Sequence, residues 1–228
     1  MTPNIVREVD DLVPIRRVLI SVWEKTGLEV LVPGLVEVCP EVLFYSTGGT
    51  YRSLEQILGK GRAAQHLVQV SDYTGQPETQ GGLVKTLDFK IYLGLLTERY
   101  NPEHQADLAR TGALPLDMVV VNLYPFESVV SQGTATVEEA RAHIDIGGPA
   151  MLRAAAKNFL RVAALCDPAD YGPVLSLLRA QGGKLRLAQR FELARKAFAL
   201  TARYDAAISA FLAGKDPAAV PEAYPLRH

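Results

Sequence analysis

The sequence is poor in the residues that build metal centres and disulfide frameworks. Its 228 residues include two cysteines, Cys39 and Cys166, far apart and without metal-ligand spacing, so they read as reduced, buried thiols of a cytoplasmic protein. The four histidines, His66, His104, His143 and His228, form no HxxxH or HxH pair, and no metal site built from protein ligands is expected. Runs of five or six like charges are absent and the net charge is −1. That excludes nucleic acid as a partner, because affinity for a phosphate backbone needs clustered Lys and Arg. No apolar run is long enough to span a bilayer, and the N-terminus lacks the apolar core of a signal peptide, so neither membrane insertion nor secretion is expected. Neither GxxxxGKS/T nor GxGxxG occurs, which removes the P-loop and the dinucleotide fingerprint. Internal repeats and low-complexity tracts are also missing.

What is present is a globular composition, 48% hydrophobic and 21% charged, long enough for one large α/β domain with a helical appendage. Residues 1–15 read as a loose arm with two prolines. The apolar run 17–22 (RVLISV), the loop beginning Glu24-Lys25-Thr26-Gly27 and an apolar pattern to about Val38 make a strand–loop–helix unit. A second unit follows: strand 42–45, turn 46–50 (STGGT) and helix 51–58. Consecutive units of this kind predict a parallel sheet with crossover helices. Residues 67–70 form a third candidate strand, leading into a Gly/Pro-rich loop from Thr74 to Gly82. Residues 90–96 are a further apolar run in the series. The stretch 117–123 (DMVVVNL) is the clearest buried strand, since its unbroken Met-Val-Val-Val suits a strand covered on both faces. Helices are expected at 136–143 and 148–158 and a last strand at 162–165. An amphipathic helix at 169–179 stops at Gly182-Gly183, and one long helix runs from about Leu187 to Leu212. Residues 214–228, with three prolines, are expected to be extended.

In an open parallel sheet, ligands bind beyond the carboxyl ends of the strands. That rule nominates 21–27, 46–50, 75–86 and 122–126 and brings all four to one edge. The STGGT turn joins a strand to a helix N-terminus, where glycines permit close backbone approach and free N–H groups favour an anion. Lys25 offers a counter-charge. The same turn also reads as an ordinary capped βα connection. Lys85 with Thr86, beside Gly81-Gly82, suits a ligand oxygen or proton transfer, or else a solvated loop. Tyr124 follows the strongest strand. Asp145, ahead of Gly147-Gly148-Pro149, has helix N-capping as its simplest role, and Lys157 at a helix end offsets the dipole in any case.

Seven motifs then occur in one order: SVWEKTG at 21–27, STGGT at 46–50, VKTL at 84–87, NLYPF at 122–126, IDIGGP at 144–149, RAAAKN at 153–158, and KAF at 196–198 with Tyr204-Asp205. Each is weak alone. Together, over residues 16–212, they resemble the N-terminal half of the bifunctional AICAR transformylase/IMP cyclohydrolase family. The resemblance implies a three-layer α/β domain of the methylglyoxal-synthase-like type with a mainly parallel sheet and additional C-terminal helices. The domain would occupy 16–213, between an arm at 1–15 and a tail at 214–228, with the transformylase domain absent. The implied activity is closure of the purine ring of FAICAR to IMP with loss of water, using no metal and no organic cofactor.

The same resemblance implies Lys85, Tyr124, Asp145 and Lys157 as the chemical groups. Lys25, Ser46, Gly48, Gly49 and Thr50 would cradle the 5′-phosphate, and Ile146, Gly147 and Gly148 would face the base. Ser21, Thr26 and Thr86 complete the substrate-binding set. A straight helix from Asp145 to Lys157 would hold the two about 18 Å apart.

Several positions depart from the family pattern. The loop usually reads GGRVKTLHP, whereas here Leu83 stands for the arginine and Asp88-Phe89 for the His-Pro pair. Phe159 and Leu200 replace histidines, and Trp23 replaces a common serine. Loss of the arginine removes an anion donor, and Asp88 is expected to repel a phosphate. A second expectation therefore stands beside the enzyme: a homologue that binds a phosphorylated purine intermediate without turnover, as a sensor or partner subunit of a separate AICAR transformylase. Altered chemistry, including methylglyoxal-synthase-like phosphate elimination, is the third. The long C-terminal helix and its aromatic residues are available for a homodimer interface.

Overall fold

A computed structural model describes residues 5–77, 79, 85–131 and 133–227. In chain order its elements are β1 (Leu12–Pro14), β2 (Arg17–Ser21), α1 (Leu28–Val38), β3 (Leu43–Ser46), α2 (Gly48–His66), β4 (Leu67–Gln69), α3 (Val70–Thr74), α4 (Phe89–Leu96), α5 (Pro102–Thr111) and β5 (Met118–Val121). Next come α6 (Phe126–Val130), α7 (Val137–Ala142), α8 (Gly147–Lys157), β6 (Ala163–Leu165), α9 (Tyr171–Ala180), β7 (Lys184–Arg186) and α10 (Leu187–Ala213). Short 3₁₀ turns occupy Pro168–Asp170 and Val220–Ala223. Among the described residues, no helix is long and apolar enough to cross a membrane.

The main sheet has the order β4-β3-β2-β5-β6, and every neighbouring pair is parallel. Side chains alternate across it, as a two-residue period requires. Val18, Ile20, Phe44, Met118, Val120, Ala163 and Leu165 face a core shared with Leu31 and Leu35 of α1, Leu54 of α2, and Leu175 and Leu178 of α9. Leu19, Tyr45, Val119, Val121 and Ala164 face the opposite core, with Ile91 and Leu95 of α4, Met151, Leu152 and Ala155 of α8, and Ala194 and Ala197 of α10. The central strands are therefore apolar on both faces, and each fully buried Val, Leu or Ile favours the fold by about 1.5–3 kcal/mol. The result is the three-layer α/β architecture that the resemblance implies.

Two expectations from the sequence are corrected, those of the arm and the tail, and the apolar run 90–96 is assigned. Residues 90–96 belong to α4, because Asp88 caps a helix there, its Oδ1 accepting from Lys90 N at 2.8 Å. The arm is not loose at its end: β1 pairs antiparallel with β7. The fully buried Arg190 guanidinium also donates to the carbonyls of Asp10, Asp11, Phe159, Leu160 and Leu185, tying that segment to the α8–β6 connection. The tail is not simply extended; it carries the 3₁₀ turn Val220–Ala223, and the Tyr224 hydroxyl donates to Glu138 Oε2 at 2.7 Å. Both cysteines are free, Cys39 buried and Cys166 half-buried.

Candidate active site

The chain leaves central β2 toward β3 on one side and pairs with β5 on the other, so the connections that follow β2 and β5 diverge. A crevice opens where such connections part. Here it is a cleft of about 420 Å³ at the carboxyl edge of the sheet. Its walls come from the ends of β2 (Ser21, Val22, Trp23, Lys25), β3 (Thr47, Gly49, Thr50) and β5 (Asn122, Tyr124), together with 85–87 and 142–151. A larger cavity of about 480 Å³ lies at the amino edge, against residues 5–10 and 98–103. Its buried cation, Arg161, already donates from all three guanidinium nitrogens to the carbonyls of Gly94, Leu95, Leu116 and Thr97. The carboxyl-edge cleft, lined by two lysines, a phenol and a carboxyl, is the better setting for chemistry.

Ser46 and Thr50 do structural work. The buried Ser46 hydroxyl donates to Ile20 O at 2.8 Å, and Thr50 Oγ1 donates to Val22 O at 3.0 Å while accepting from Val22 N at 3.3 Å. These bonds clamp the start of α2 to the end of β2. What the STGGT turn presents to the cleft is therefore Thr47 and the backbone, the first N–H groups of α2, which no side chain caps. Gly48 holds φ at +51°, and a β-carbon there would meet Lys85 Nζ at 3.0 Å. The Lys85 ammonium thus lies against the positive end of α2, a repulsive juxtaposition that a bound anion relieves.

The loop after β2 is held by Asn122. Its Oδ1 accepts from Trp23 N at 2.6 Å and Glu24 N at 3.0 Å, and its Nδ2 donates to Glu24 O at 2.7 Å. Lys25 Nζ in turn donates to Trp23 O at 2.8 Å. Trp23 packs edge-on to Tyr124 with ring centroids 5.1 Å apart. Burial, and then the nearby Asp145 carboxylate, push the Tyr124 phenol above its ordinary value, so it is a protonated donor at neutral pH.

Asp145 performs the capping role that its position suggests, Oδ1 accepting from Gly148 N at 2.9 Å. It also lines the cleft. Burial raises its pKa, opposed by hydrogen bonds from the backbone N–H groups of Gly148, Tyr124 and Gly147. Gly148 is the crowded one of the glycine pair: a β-carbon there would meet Asp145 Oδ2 at 2.5 Å and Leu123 Cδ2 at 2.7 Å, whereas at Gly147 it would meet only the Thr86 hydroxyl, at 2.9 Å.

Of the expected site residues, Ser21, Lys25, Gly49, Thr50, Lys85, Thr86, Tyr124, Asp145, Ile146, Gly147 and Gly148 line the cleft. Gly48 adjoins it through Lys85. Thr26 is exposed and turned to Glu24, its Oγ1 donating to Oε1 at 2.7 Å. Lys157 is exposed at the far end of α8, outside the lining. The helix separates it from Gly147 by about 15 Å, so it shares no cleft with Asp145. Asn122 was visible only as part of a motif, and its bracing role carries no local signature beyond its place after a strand.

The departures are mostly remote from the cleft. Asp88 faces the α4 N-terminus rather than repelling a cleft anion. Phe159 packs on Phe191 of α10 with centroids 5.0 Å apart, and Leu200 packs at the border of the second core. Trp23 alone of this group lines the cleft, while Leu83, with Gly81, Gly82 and Val84, lies outside the described residues.

Residues 31–150 match the MGS-like domain, and residues 155–227 match the AICARFT/IMPCHase bienzyme. The bifunctional purine biosynthesis protein PurH of Magnetococcus marinus is 49% identical over 214 residues, covering 92% of this chain and 39% of that protein. PurH of Bacillus subtilis is 46% identical over 198 residues, covering 87% and 37% respectively. The chain thus spans about two fifths of the length of these curated relatives. The crystal structure of ForH matches with a TM-score of 0.69 at 34% identity, over 86% of this chain and 97% of ForH. The chain belongs to the AICAR transformylase/IMP cyclohydrolase family, of which it carries the MGS-like domain and the segment that follows it.

Proposed function

We propose that this chain is an IMP cyclohydrolase that closes the purine ring of FAICAR. The observation that carries the reading is the gathering of Lys85, Tyr124, Asp145 and the uncapped N-terminus of α2 around one cleft. The similarity to PurH, a bifunctional purine biosynthesis protein, supports it.

In this reading the 5′-phosphate lies on the first N–H groups of α2, with Lys25 and Lys85 as counter-charges. The folded-over substrate brings its carboxamide nitrogen to the formyl carbon, which is chiefly a matter of positioning. Asp145 accepts a proton from that nitrogen as the new C–N bond forms. The Tyr124 phenol donates to the formyl oxygen as its carbonyl π bond opens to a carbinolamine. Lys85 adds its charge to the same developing oxyanion, beyond its place beside Gly48. The carbinolamine C–O bond then breaks. Formyl oxygen leaves as water with one proton from the carboxamide nitrogen and one from the formamide nitrogen, and IMP remains. No step needs a metal or an organic cofactor.

Mixing the purified protein with FAICAR and following IMP formation tests the reading. Turnover above the spontaneous rate that is lost in Lys85→Ala supports it. Nucleotide binding with no IMP formation would instead favour the sensor or partner-subunit reading.

A further inference from the structure

Among the described residues, those that line the cleft all lie between Ser21 and Met151. The segment that matches the AICARFT/IMPCHase bienzyme, 155–227, lies outside that lining. It nevertheless reaches the site's support through one buried phenol. Tyr204 of α10, 4% exposed, accepts from the backbone N–H of Asp145 at 2.9 Å and donates to His143 O at 3.1 Å. Its ring packs edge-on to Phe126 with centroids 6.1 Å apart, and Phe126 N donates to Tyr124 O at 2.8 Å. A single side chain therefore holds the turn that carries Asp145 and abuts the turn that carries Tyr124.

We propose that Tyr204 is a positioning residue for the ring-closing reaction, through which the C-terminal helix sets the Asp145 carboxyl and the Tyr124 phenol in register. This rests on the cyclohydrolase reading above. The geometric reason is that the phenol oxygen bridges a donor and an acceptor two residues apart in the 143–145 turn. Ile144 of the same turn packs in one apolar cluster with Tyr204, Ile208 and Phe211 of α10, but the directional restraint comes from the two Tyr204 hydrogen bonds, and α10 itself is anchored on α8, β6 and α6. A phenylalanine keeps the ring packing and removes both hydrogen bonds. The turn then relaxes, and Asp145 loses alignment with the N–H groups of Gly147, Gly148 and Tyr124 that favour its charged form. The titratable groups around it are Tyr124 and Tyr204, with Lys25 and Lys85 elsewhere in the cleft wall.

The test compares Tyr204→Phe with Phe211→Leu, which loosens the same aromatic cluster (Phe126 and Phe211 centroids are 6.0 Å apart) and spares the hydrogen bonds. Tyr204→Phe is expected to lower kcat at least roughly tenfold with KM nearly unchanged, and to move the acid limb of the pH–rate profile to higher pH. Phe211→Leu is expected to lower the melting temperature without moving that limb. Unchanged kcat in Tyr204→Phe, or equal effects of the two variants, would overturn the proposal. A ¹³C-carboxyl titration of Asp145 decides independently of turnover: its midpoint must rise in Tyr204→Phe and not in Phe211→Leu. Wild-type protein inactive on FAICAR would defeat the cyclohydrolase reading, and with it any role in that reaction, whereas a titration shift without wild-type turnover would show the coupling to be real.

Discussion

The Lys85 ammonium lies so near Gly48 that a β-carbon at position 48 would meet Nζ at 3.0 Å. Two positive features, an ammonium and a helix N-terminus, share one corner of the cleft, and each requires the other's neighbourhood to be free of bulk.

Gly48→Ala accordingly loses twice. Its φ of +51° is unfavourable for a side chain, costing about 1–2 kcal/mol, and the new methyl group displaces Lys85. Calorimetric titration with IMP should show weaker binding by about tenfold, alongside a lower melting temperature. Undiminished affinity would separate Lys85 from the anion site.

Ser46→Ala should behave differently from the expectation that this hydroxyl binds phosphate. The group is fully buried and donates to Ile20 O at 2.8 Å. Its loss is expected to cost about 1 kcal/mol of stability in urea unfolding while KM changes less than about twofold, since the cradle is backbone. A large rise in KM with unchanged stability would restore a direct ligand contact.

The pH dependence of turnover follows from two upward shifts. Burial raises the Asp145 carboxyl above the ordinary carboxylate range and the Tyr124 phenol above that of a free tyrosine. A base must be ionised and a donor protonated, so the acid limb of the rate profile should lie above the range of an ordinary carboxylate and the alkaline limb above that of a free phenol. Asp145→Asn should remove the acid limb along with most of the rate. For folding the sign is opposite: a raised carboxyl pKa means the native state binds the proton more tightly, so the ionised group costs stability at neutral pH and the cost fades as pH falls through the folded pKa.

Arg190→Lys probes the arm. The lysine keeps the charge but cannot fan out to the carbonyls of Asp10, Asp11, Phe159, Leu160 and Leu185. A stability loss of about 3 kcal/mol is expected in denaturant unfolding. Limited proteolysis should then cut within residues 5–11 first, and resistance equal to wild type would count against the clamp.

The parallel sheet could be read in advance because Met118–Val121 and the centre of Arg17–Ser21, Val18 to Ile20, carry the unbroken apolar character that two covered faces demand. Short apolar segments are ambiguous, however. FKIYLGLL is as compatible with a buried helix as with a strand, and the Asp88 cap with Lys90 N decides for the helix. The strands β1 and β7 are three residues each, too short for any alternation to register, and they exist because they pair with each other and are clamped by Arg190.

The cleft shows the same division. Sequence alone determined which segments meet at the cleft: a parallel βα chain places every strand's carboxyl end on one edge, which groups Lys25, the STGGT turn, Lys85 and Tyr124, while Asp145 joins them through the family resemblance. Only the tertiary structure decided what each group is free to do. The acceptors that occupy Ser46 and Thr50 come from β2 and the residue just after it, 26 and 28 residues away. The phenol that braces Asp145 comes from 59 residues downstream. Lys157, close to Asp145 in sequence, is carried away from the cleft by the fixed rise of α8. Local chemistry follows from residue type and spacing, whereas hydrogen-bond partners across the fold are set by packing.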